Sequence, residues 1–152
     1  MSRILIVGYG NPLRGDDGLG WHAADRLRDQ IADPEIEILA VHQLTPELAE
    51  PLSRAGLAIF IDAAAEGEPG VVQRRLLEPD SGAAAFTHHA TPSALLAAAQ
   101  ALYGRAPEAE LFSVPVESLE LGDRLTPVVE RALERLVAEI LRAADPGTAA
   151  RS

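Results

Sequence analysis

The sequence predicts an α/β protein: a mostly parallel, twisted sheet of about five strands with helices on both faces. Three observations carry that expectation. Short apolar runs alternate with helix-like segments along the chain, the order that builds parallel strands joined by crossover helices. Those runs are apolar throughout rather than at every second position, as strands covered on both faces must be. The chain has 152 residues, 47% of them apolar, enough to bury the core of one domain and short for two. The expected unit is a single domain over 1–145, followed by a flexible tail at 146–152.

Each element has its own signal. "RILIVG" (3–8) is a strand stopped by glycine, and Leu19, Ala23, Leu27 and Ile31 recur at helical spacing to give a helix over about 18–31. "IEILAVH" (36–42) reads as the second strand. "TPELAEPLSRA" (45–55) opens with a hydroxyl N-cap and proline at the first helical position. "LAIFIDA" (57–63) is a third buried strand, and "VVQRRLL" (71–77), with its weaker alternation, reads as an edge strand. A second Thr-Pro opens "TPSALLAAAQALYG" (91–104), which Gly104 stops. "AELFSVPV" (109–116) is a strand with Pro115 expected at its end. The third Thr-Pro (126–127) opens a last helix striped by Val129, Leu133, Leu136, Val137, Ile140 and Leu141.

Composition removes several classes of function. A formal net charge of −10, spread along the chain, argues against binding nucleic acid or an anionic membrane. All 13 basic residues are arginine, which excludes a Schiff-base lysine, and the absence of cysteine excludes thiol nucleophiles and thiolate metal sites. Too few residues precede the first glycines for a signal peptide, and no apolar stretch approaches a membrane span. The expected location is the cytoplasm.

The loop "GYGNPLRGDDGLG" (8–20) carries the chemistry. A dinucleotide turn needs G-x-G-x-x-G, but Leu13 stands where the third glycine would. That reading predicts a helix unable to pack closely enough to offer its amides to a phosphate, and two aspartates there repel one. Asp16 or Asp17 can cap the following helix while its neighbour faces the cleft and suits a hard or borderline cation. Asp62 closes "AIFID" at a strand's carboxyl end. In a doubly wound sheet such ends border the crevice, often between the first and third strands where the order reverses. His88 and His89, in "FTHHATP", fall at the same rim just before a helix. Two carboxylates and an imidazole are a usual set for a borderline divalent metal, although they can also do acid–base work without one. His42, beside Gln43 at the end of strand two, is a further candidate at this edge, and His22 reads as structural. Neither G-x-S-x-G nor H-E-x-x-H occurs.

"GYGNPLRGDDGLGWHAADRL", together with "HQLTPELAEPL", "LAIFIDA", "FTHHATPSALLAAAQALYG" and "ESLELGDRLTPVVERAL", resembles the [NiFe]-hydrogenase maturation proteases. These endopeptidases trim the C-terminal extension of the hydrogenase large subunit, and the resemblance runs in order over nearly the whole chain. It implies a three-layer α/β/α fold and a catalytic, metal-reading set of Asp17, Asp62 and His88, with His89 selected instead by a one-residue shift. Many members carry glutamate at the position of Asp17. Gly10 and Asn11 would shape the loop and Asp16 orient it. Gly8, Gly10, Gly15, Gly18 and Gly20 would let the chain come close to the substrate. The implied metal is nickel, carried by the precursor rather than stored in the free enzyme, and the implied state is a monomer. Two other functions fit the same residues: a nickel-checkpoint chaperone that holds the precursor uncut, and an unrelated small α/β hydrolase using acid and base.

Overall fold

The structure, a computed structural model, describes residues 3–80 and 90–145. The strands are β1 (Ile4–Tyr9), β2 (Ile36–Val41), β3 (Leu57–Ala64), β4 (Gln73–Leu77) and β5 (Glu108–Pro115). The helices are α1 (Leu19–Gln30), α2 (Ala49–Arg54), α3 (Pro92–Tyr103) and α4 (Pro127–Ala143). Among the described residues the sheet has five strands in the order β2-β1-β3-β5-β4, parallel except for the β4–β5 pair. The α/β class expected from the sequence is the one observed, and 71–77 does contain an edge strand. The tail at 146–152 lies outside the described residues.

Strand alternation sorts the core into two layers. Ile4, Ile6, Ile59, Ile61, Phe112 and Val114 point toward α1 and α4. Leu5, Val7, Ala58, Phe60, Ala109 and Leu111 point toward α2 and α3. Phe60 and Phe112 are fully buried on opposite faces, each worth about 2–3 kcal/mol of transfer free energy. This two-sided burial is why β1 and β3 read as unbroken apolar runs.

Proline leads each Thr-Pro segment, but the hydroxyls do different jobs. Thr91 Oγ1 accepts from the Ala94 amide at 3.0 Å, a true N-cap for α3. Thr45 makes no such bond, and the segment winds as a 3₁₀ turn over Pro46–Leu48 before α2 begins. Gly104 ends α3 in the left-handed conformation, φ 81°.

Two expectations for the first loop are corrected. Helix α1 does pack closely on β1, because Gly20 performs the role that Leu13 could not. A Cβ on Gly8 would lie 2.2 Å from the Gly20 carbonyl oxygen, so backbone meets backbone there. Gly8 and Gly20 therefore serve helix–strand contact rather than approach to a substrate. Nor does either aspartate cap α1. Its N-cap is Gly18, with no side-chain bond, after a 3₁₀ turn over Gly15–Gly18. Both carboxylates reach to amides elsewhere.

Candidate active site

The chain leaves β1 for β2 on one side of the sheet and returns to β3 on the other, so the order reverses between β1 and β3. A crevice opens at the carboxyl ends of strands flanking such a reversal. Here it is a cleft of about 250 Å³ lined by Tyr9, Gly10, Asp17, His42, Asp62 and Ala90, among others. Asp17 and Asp62, far apart in sequence, share it.

Asp62 arrives through strand register. Gly8 pairs with Ile61 across β1 and β3, so the next level up holds Tyr9 and Asp62. Alternation turns both toward the α2/α3 face. Tyr9 and Asp62 line the same cleft, and the polar influences on the Asp62 carboxylate there are the Tyr9 hydroxyl and the Ala63 amide. Burial is the largest influence on Asp62 and pushes its pKa up to about 6; the Tyr9 hydroxyl opposes that, and the nearby Asp17 charge adds to it. Burial and the Asp62 charge drive the Tyr9 hydroxyl well above its usual range, so it stays a proton donor.

Asp17 arrives through the loop. Its Oδ2 accepts from the Asn11 amide at 2.7 Å, while Asn11 Oδ1 accepts from the Leu13 amide at 2.9 Å. Asn11 thus closes the turn with its side chain and positions Asp17 with its backbone. Gly10, at φ 142°, brings the turn against Asp17: a Cβ there would sit 2.2 Å from the Asp17 carbonyl oxygen. The Gly10 carbonyl accepts from Trp21 Nε1 at 2.9 Å.

Asp16 points the other way and is fully buried. Its Oδ2 accepts from the amides of Glu117 and Ser118, at 2.8 and 3.1 Å, and its Oδ1 from the amide of Thr126 at 2.7 Å. The Thr126 hydroxyl also donates to it, which is why Thr126 does not cap α4 with its own side chain. Asp16 therefore fastens the first loop to the β5–α4 connection and takes no part in the cleft.

His42 lies exposed at the cleft rim, its ring edge-on to Trp21 at 5.2 Å between centroids. His22 in α1 meets the Asp123 carbonyl at 3.2 Å. His88 and His89 lie outside the described residues, although Ala90, the first described residue after them, lines the cleft. Among the described residues no three His, Cys, Asp or Glu side chains come together in a metal-binding group. Tyr9 was not singled out from the sequence. The signal that would have found it is the pairing of β1 with β3, which sets Tyr9 level with Asp62.

A doubly wound sheet with two carboxylates meeting at its reversal point is the arrangement of an α/β protein with a candidate enzyme site. Comparison with known proteins narrows that class. The chain is 30% identical to the hydrogenase 2 maturation protease of Escherichia coli K12 over 149 residues, covering 93% of this chain and 90% of that protein. It is 28% identical to the hydrogenase expression/formation protein HupD of Thiocapsa roseopersicina, covering 88% and 67%. Among solved structures, the hydrogenase maturating endopeptidase HybD from E. coli superposes with a TM-score of 0.75 at 29% identity, over 93% of this chain and 91% of that one. The [NiFe] hydrogenase maturation protease HycI from Thermococcus kodakarensis KOD1 gives 0.74 at 26% identity, over 91% and 90%. No family model matches the chain. The chain belongs to the [NiFe]-hydrogenase maturation protease family, and it is a protease. No helix of the described residues is long and apolar enough to cross a membrane.

Proposed function

We propose that this protease is an endopeptidase that removes the C-terminal extension of a [NiFe]-hydrogenase large-subunit precursor after nickel has been inserted. The observation that carries the reading is the meeting of Asp17 and Asp62 in one cleft. Two carboxylates so placed repel each other, and the Asp17 charge helps to hold Asp62 partly protonated near neutrality. A divalent cation entering with the substrate relieves that repulsion and draws the proton off Asp62. The pair therefore favours a precursor that carries its metal over one that does not, with His88 or His89 as the imidazole completing the set. The nickel is cargo of the substrate; held between the carboxylates, it locates the scissile region and polarises a carbonyl or water there.

Incubating the protein with nickel-loaded and metal-free precursor, and weighing the products by mass spectrometry, tests this. The expected result is loss of a C-terminal peptide from the loaded precursor alone. Equal cutting of both would remove the metal dependence, and a stable uncut complex would indicate a chaperone. Because the gripping form of Asp62 is the carboxylate, affinity for loaded precursor should fall about tenfold per pH unit below about 6. A flat profile between pH 7 and 5 would contradict that role for Asp62.

A further inference from the structure

The two cleft carboxylates differ in how they are held. Asp17 is fixed by a backbone amide, that of Asn11 at 2.7 Å, which no side-chain replacement at Asn11 removes. Asp62 has a side chain for its neighbour instead: the Tyr9 hydroxyl, set level with it by the β1–β3 register and sharing its cleft. Tyr9 sits one position past the last β1–β3 register pair, Gly8 with Ile61, and lines the same cleft. Tyr9 packs on the α2/α3 layer of the core and pairs with Val41 across β1 and β2. Its other neighbour is held as well, because the Gly10 carbonyl is tied to Trp21 Nε1 at 2.9 Å. The segment Tyr9–Gly10–Asn11 thus presents one donor to each carboxylate from a backbone anchored by the indole.

We propose that Tyr9 is a positioning residue for the reaction: its hydroxyl sets the Asp62 carboxylate opposite Asp17, so that the pair meets the metal-bearing substrate already aligned. This rests on the reading of Asp17 and Asp62 as the groups that grip the precursor's metal. Groups that orient a metal ligand through a hydrogen bond typically change metal affinity by about 10–100-fold when removed. A packing role alone gives a different signature, because Phe fills the same space and loses only the hydroxyl.

The experiment is a double-mutant cycle with Tyr9→Phe and Asp62→Asn, measuring affinity for nickel-loaded and for metal-free precursor alongside thermal stability. The expected result is that Tyr9→Phe lowers the preference for loaded precursor about tenfold. Its affinity for metal-free precursor stays as in the wild type, and Tyr9→Phe has no further effect in the Asp62→Asn background. An unchanged preference in Tyr9→Phe overturns the inference. So does an equal loss of affinity for both precursors together with a fall in melting temperature, the mark of a structural role, and so does simple additivity with Asp62→Asn. A wild-type protein with no preference for loaded precursor would sink the functional reading and this inference together. A wild type that has the preference, beside a Tyr9→Phe variant that keeps it, sinks the inference alone.

Discussion

Asp16 and Asp17 are neighbours of identical chemistry that end in opposite environments. Asp16 turns inward, fully buried, and gathers the amides of Glu117, Ser118 and Thr126 and the Thr126 hydroxyl. Asp17 turns into an open cleft, satisfied by the single amide of Asn11 and facing a second carboxylate. One is a fastener and the other is left open to the cleft. The lesson is that charge at a loop is assigned to structure or chemistry by how many donors surround it. A carboxylate ringed by donors has nothing left to offer a ligand, whereas a carboxylate facing another one lacks a cation.

Breaking the fastener should have the largest effect on stability. Asp16→Ala removes a fully buried acceptor from three amides and a hydroxyl, and denaturant unfolding should show a loss of about 3–5 kcal/mol. A loss below about 1 kcal/mol would mean that the two loops do not depend on each other. The cleft should respond with the opposite sign. Asp62 titrates near its ordinary 3.8 when unfolded and at about 6 when folded, so the folded protein holds the proton more tightly. That interaction is fully present below about pH 4 and is lost as pH rises to about 6. At pH 7 Asp62→Asn should therefore stabilise the fold, by up to about 3 kcal/mol, while abolishing processing, and the gain should vanish near pH 4. A variant destabilised at pH 7 would place Asp62 with Asp16 among the structural groups.

The smallest change in stability should come from Asp17→Asn, which keeps an acceptor for the Asn11 amide and so should alter stability by less than about 1 kcal/mol. Its informative readout is the titration of Asp62 followed by carboxyl NMR. With the neighbouring charge gone, Asp62 should titrate lower than in the wild type. An unmoved titration would show that the two carboxylates do not sense each other, and the contrast with Asp16 would lose its basis.

Much of this was legible in the residues, for identifiable reasons. The five strands and the helices were readable because β1 and β3 are apolar on both faces and because helical spacing at Leu19, Ala23 and Leu27 survives in the observed core. The placement of Asp62 beside a reversal in strand order followed from the α/β pattern; β3 runs on to Ala64 against β5, but its pairing with β1 stops at Ile61, and the structure puts Asp62 in one cleft with Asp17. The capping role expected for an aspartate at α1 was misread, since hydrogen-bond partners 101 and 110 residues away leave no local trace. The helix packing of α1 was misread for a related reason. A glycine that allows close approach is recognised by the surface it meets, and Gly20 meets Gly8 only in the folded sheet. Tyr9 went unnoticed because its partner is on another strand. His88 and His89 fall in 81–89, outside the described residues.

By itself the sequence determined the kind of protein, because hydrophobic periodicity, turn residues and the order of elements are local properties written along the chain. Only the tertiary structure decided which of two adjacent aspartates is consumed by the fold and which is left to act, and that Tyr9 stands beside Asp62. Those outcomes are set by hydrogen-bond partners and strand register, which exist only after distant segments have been brought together.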